Sequence, residues 1–238
     1  MGKYFIEDDF KAFREEVASS RDEKVISERQ RVKDKFKALH EGGLKDFMRE
    51  NDLYPHPCMQ HLINNIYPVA INDNYVDFIR ISYGKSEEEL KALKENITFR
   101  HTTQLELCLD EEGWVMDLYL GTKGWIEQRN LVNKLQGEKE RKIFADLISD
   151  VINNGFLPCI YRGEDIKAYE TSNEFIEDLC NLTKKRIGYS INIRKEKDIN
   201  DKENDNDRIL GYIIKSFSQL MDTYKFISWH PVLNNYLE

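Results

Sequence analysis

Two apolar rows facing each other across an acidic turn constrain this chain most. Leu105, Leu107 and Leu109 alternate with other residues, Asp110-Glu111-Glu112-Gly113 follows, and Met116, Leu118 and Leu120 alternate on the way back. A period of two sends every second side chain to the same face of a strand, and a turn-forming break between two such runs marks a β-hairpin. For the two rows to share a face, Leu107 must oppose Met116 and Leu109 must oppose Trp114. A slip of one residue would send the rows to opposite faces.

Helical spacing dominates much of the rest. Val25, Val32, Phe36 and Leu39 recur at three- and four-residue steps, and Gly42-Gly43 reads as a C-terminal stop. Residues 5–17 and 44–50 read as shorter helices. Residues 123–153 read as a long helical stretch broken near Gly137, residues 173–185 as a helix capped by Ser172 or Asn173, and residues from 209 to 224 as a last amphipathic helix. Residues 75–83, 97–109, 114–120, 158–161 and 189–193 carry strand-like composition. The expected class is α+β, an antiparallel hairpin or meander sheet packed against several amphipathic helices. A single domain over residues 1–238 is expected, with the charged, Asn-rich run 195–207 as a mobile loop.

Composition narrows the function classes. Hydrophobic residues make up 40 %, enough for a packed core, and the net charge of −8 disfavours a broadly basic nucleic-acid binder unless cations are segregated locally. Cys58, Cys108, Cys159 and Cys180 are scattered with no C-x-x-C pair, so no disulfide framework is expected. The first residues turn acidic before any signal-like apolar run, and no apolar stretch reaches bilayer length. A cytoplasmic protein with no membrane association is the expectation.

The hairpin register carries a chemical consequence, because it places Glu106 opposite Asp117. Facing carboxylates repel unless a cation, a basic side chain or a shared proton compensates them. Asp77 and His101 complete a candidate catalytic set with that pair, suited to metal-dependent hydrolysis, while Arg80 or Arg100 as countercharge is the plainer explanation. His56, Cys58 and His61 are ligand-capable neighbours, although their spacing matches no standard zinc pattern. No cofactor is expected, and a divalent metal is the one ion these groups would take. A second candidate site is basic: Lys184, Lys185, Arg186 and Arg194 bracket Tyr189, and cations beside an aromatic suit phosphate contact and base stacking. Trp114, Trp125 and Trp229 are candidate anchors for a protein partner. P-loop, dinucleotide-binding and zinc-protease motifs are absent from the sequence.

The order of short motifs adds a resemblance. Residues 70–78 form an Asn-rich turn entering a strand, Arg100-His101-Thr102-Thr103-Gln104-Leu105-Glu106-Leu107 follows as the next strand, and His56 and His61 stand upstream. This order resembles the YktB-like family of bacterial α+β proteins, for which no activity carries over. Here the histidine pair is spaced one residue wider, and Leu62-Ile63-Asn64 replaces the basic residues of the family pattern. The resemblance implies an α+β fold. The expected function is a non-catalytic accessory domain that binds nucleic acid or a phosphorylated ligand, in bacterial genome maintenance or phage defence. A metal-dependent hydrolase or nuclease and a protein–protein interaction module are the alternatives.

Overall fold

The computed structural model describes residues 2–56, 76–93, 97–185 and 187–237. Helices α1 (Glu7–Lys11), α2 (Glu23–Leu39) and α3 (Lys45–Glu50) lead to strands β1 (Tyr54–Pro55) and β2 (Phe78–Gly84). Helix α4 (Glu87–Leu93) precedes strands β3 (Gln104–Asp110) and β4 (Trp114–Leu120). Then come α5 (Trp125–Lys134), α6 (Glu138–Asn153), β5 (Leu157–Arg162), β6 (Asp165–Ala168), α7 (Ser172–Lys184), β7 (Ser190–Lys197) and α8 (Ile209–Ile227). The strands form an antiparallel sheet in the order β1-β2-β3-β4-β7-β5-β6, so the fold is α+β.

The hairpin closes as its apolar rows require. The Asp110 N–H donates to the Gly113 carbonyl at 3.0 Å, and Asp110 Oδ1 accepts from the N–H groups of Glu112 and Gly113. Counting outward from that pair sets Leu109 against Trp114 and Leu107 against Met116, all four buried. Glycine is obligatory at 113, because a Cβ there would run into the Lys197 carbonyl.

The chain divides into two compact units. The first comprises Met1–Tyr83, Glu106–Met116 and Glu196–Ser216. Its core is aromatic: the Phe5 ring lies 5.8 Å from Phe36 and 6.2 Å from Trp114. Gly42-Gly43 ends the helix as the sequence suggests: Gly43, at φ 146°, leaves the helical region and sets a kink between α2 and α3. Arg29 donates to the carbonyls of Ala12, Val17, Ala18 and Val76, so one buried guanidinium satisfies four backbone acceptors.

The charged run also differs from its expected form. Instead of a mobile loop, residues 196–207 continue β7 and turn through a short 3₁₀ segment, Lys202–Asn204. Asn204 is fully buried; its Oδ1 accepts the Phe5 N–H at 2.9 Å, and its Nδ2 donates to the carbonyls of Phe5 and Ile199 at 2.8 and 2.9 Å. Lys3 donates to the Asn200 and Asp201 carbonyls and pairs with Asp205 at 3.1 Å, while Lys197 pairs with Asp201 and Glu203. Lys3 from the N-terminal segment and Lys197 from the run itself thus pair with three of its carboxylates.

The second unit comprises Gly84–Leu105, Asp117–Lys195 and Phe217–Glu238. The break near Gly137 is present, separating α5 from α6. Thr171, rather than Ser172 or Asn173, caps α7 by accepting the Glu174 N–H. Helix α7 packs against α5, α6 and β5. The Phe144 ring stacks on Phe226 with centroids 5.0 Å apart. Residues 228–237 follow α5, with Asn130 donating to the Asn234 carbonyl and accepting the Tyr236 N–H.

Candidate functional site

The sequence-derived carboxylates have local partners. In the first unit, Glu106 accepts from Arg80 at 2.9 Å and from Ser82 Oγ at 2.7 Å, so Arg80 is the countercharge that the plainer reading required. Asp77 is half-buried, and burial pushes its carboxyl above the usual range, with Asp110 adding to the shift. In the second unit, Asp117 accepts from Asn192 at 3.1 Å. His101 does not stand on the apolar face of a strand. It closes a 3₁₀ turn, Phe99–His101, and its Nδ1 accepts the Thr98 N–H at 3.1 Å. The strand starts only at Gln104, because residues 99–101 make a turn before it.

His56 is buried, and burial, reinforced by the nearby Arg80 charge, drives its pKa down to about 4, so the ring is neutral. Cys58 and His61 lie outside the described residues, as does Arg186. Most of the Asn-rich turn behind the family resemblance, residues 70–75, lies outside them as well. Among the described residues, no three His, Cys, Asp or Glu side chains converge as a metal ion would require.

The basic candidate set separates when its side chains are followed. Tyr189 is buried; its hydroxyl lies 2.7 Å from Thr183 Oγ1 and its carbonyl accepts from Gln128. Burial pushes the phenol up to about 12 and leaves no open ring face for a base. Arg194 donates to the Tyr161 hydroxyl at 2.6 Å. Lys184 and Lys185 are exposed but line different concavities.

Lys184 leads to the strongest site. On α5, Trp125, Arg129, Val132 and Asn133 recur at helical spacing and form one stripe. Facing them are Thr183 and Lys184 at the end of α7 and residues 187–189, and together they enclose a concavity of about 710 Å³. Trp125 is 57 % exposed, whereas Trp114 and Trp229 are 0 and 7 % exposed. Among the described residues no carboxylate lines this groove, and neither Arg129 nor Lys184 is in an ion pair. A second concavity of about 500 Å³, between the β5–β6 hairpin and α7, is different. There Lys167 is held by Asp178 at 2.6 Å, and Arg162 lies 4.0 Å from Asp165.

The opposite face of α5 holds what the sequence reading missed. Glu127 is buried and accepts from Lys85 Nζ at 3.0 Å, the Trp229 N–H at 3.0 Å, and the N–H and hydroxyl of Thr103 at 2.5 Å each. Lys85 is buried as well and also reaches Ser228 Oγ. Burial opposes the charge on Lys85, yet Glu127 beside it holds its pKa above the ordinary lysine value. A neutral lysine base for catalysis is therefore not available here.

No protein-family model matches the chain, and no curated protein is detectably similar to it.

Proposed function

We propose that this chain is a non-catalytic, nucleic-acid-associated accessory domain, and that its contact surface is the groove between α5 and α7. The observation that carries the reading is the exposed Trp125 indole, set beside Arg129 and Lys184 in a groove free of carboxylates among the described residues. An indole offers a stacking face to any base, and the two cations at its sides, unpaired among the described residues, suit the phosphates of a single strand. The groove volume also falls within the range of small-molecule sites, so one nucleotide of the strand can seat in it. The net charge of −8 does not oppose this, because the cations are segregated locally.

Trp125 supplies the readout, since the other two indoles are buried. Titration of a short single-stranded oligonucleotide at low salt is expected to quench its fluorescence. Affinity should fall with salt at a log–log slope of roughly −1 to −2 for two phosphate contacts. Trp125→Ala should weaken binding about tenfold or more, read by anisotropy of a labelled strand. Arg129→Ala/Lys184→Ala should flatten the salt slope. No binding even at low salt overturns the proposal.

A further inference from the structure

Strand β6 is the terminal strand on its side of the sheet, and all four of its residues are exposed. Its inner edge pairs with β5, Ile160 opposite Lys167 and Arg162 opposite Asp165, and just beyond it the Tyr169 N–H donates to the Pro158 carbonyl at 2.9 Å. In an antiparallel ladder, alternate residues turn both backbone groups toward the same neighbour. Asp165, Lys167 and Tyr169 therefore face β5, and Ile166 and Ala168 turn their N–H and C=O groups outward. Ile166 is 60 % exposed, so a large apolar side chain sits at the centre of this open edge.

We propose that β6 is a self-association edge, on which a second copy of this chain adds its own β6 antiparallel about a two-fold axis through Ile166. In that register the two Ile166 residues exchange both N–H···O=C bonds, using the groups that face outward. Asp165 of each copy falls opposite Lys167 of the other, in the non-hydrogen-bonded pairs where side chains approach closest. The segment Asp165-Ile166-Lys167 is self-complementary about its centre only in this arrangement. A shift that pairs Ile166 with Lys167 loses both ion pairs and sets outward-facing groups against inward-facing ones.

A lysine on an edge strand usually deters pairing with an arbitrary strand, and in the two-fold register Lys167 instead meets an acid across the edge, Asp165 of the second copy. Lys167 already reaches Asp178, and Asp165 lies near Arg162, but Lys167 and Asp165 are themselves largely exposed and can also meet a charge across the edge. With four residues a side the dimer is weak and closed, since an isologous contact satisfies both edges at once.

Sedimentation velocity from micromolar to millimolar concentration tests the proposal. The expected result is a concentration-dependent dimer. Ile166→Pro should abolish it with an unchanged melting temperature, because proline is tolerated where the strand N–H points outward. Lys167→Asp and Asp165→Lys should each weaken the dimer about tenfold by placing like charges opposite. An equimolar mixture of those two variants should form a heterodimer of wild-type strength. A protein that stays monomeric throughout overturns the proposal, and so does a dimer indifferent to all three substitutions.

Discussion

Each compact unit buries a carboxylate completely, and the two are balanced in different ways. Asp9 in the first unit accepts from Arg31 at 2.8 Å and Lys35 at 2.5 Å, cations that remain 40 and 21 % exposed, and from the Ile6 N–H. Glu127 in the second unit is paired with Lys85, which is only 6 % exposed, and its other donors are Thr103 and Trp229. Without Asp9, its cations can turn toward water at modest cost. Without Glu127, an ammonium group is stranded in the interior. The lesson is that the cost of breaking a buried ion pair depends on where the surviving partner can go.

That difference orders four outcomes. Glu127→Gln should cost about 3–5 kcal/mol in urea unfolding, because Lys85 keeps its charge and loses its partner. Replacing both by apolar residues, Lys85→Met/Glu127→Leu, should recover much of the loss. Equal losses for Glu127→Gln and Asp9→Asn would erase the distinction between the two units.

Acid should separate the units next. His56 in the first unit has a folded pKa of about 4 against an ordinary value of 6.5, and burial lowers His40 in the same direction. The unfolded chain then binds more protons than the folded one, so stability is retained above pH 6.5 and falls as the pH drops toward 4. His56 alone accounts for about 3 kcal/mol at the acid end. Urea titrations at pH 7 and near pH 4.5, followed by circular dichroism, should show the loss, and His56→Gln should flatten it.

Asp9→Asn should cost less than Glu127→Gln, about 1–3 kcal/mol, by the same unfolding measurement. Smallest is Tyr83→Phe, which removes the 2.7 Å hydrogen bond to His40 Nδ1 and should cost about 1 kcal/mol.

The parts of the fold legible in the sequence are those set by local pattern. The hairpin register followed from two alternating leucine rows and a short acidic turn, and the break between α5 and α6 from Gly137. What escaped depends on distant partners or on no pattern at all. The strand-like composition of residues 97–109 runs past the true start at Gln104, and so takes in His101, which sits in a turn. Strand β6 is only four residues long and exposed throughout, so the alternation in Asp165-Ile166-Lys167-Ala168 is too short to stand out. Lys85 and Glu127 lie 42 residues apart, and neither carries a local sign of burial. The sequence marks the cation Lys184 but sets it beside Tyr189, whose ring is buried. Trp125 supplies the open ring, brought there by the packing of α5 against α7.

The Asn204 amide, clasping both backbone groups of Phe5 across 199 residues, bears on synthesis as well as on stability. On the ribosome, Phe5 emerges long before the asparagine that will hold it has been made. At ordinary elongation rates the delay is on the order of 10–40 s. For that interval the aromatic cluster of the first unit lacks the segment that closes it, exposed to chaperones and to neighbouring chains. Slowing translation late in the message should therefore lower the soluble yield more than the same slowing early.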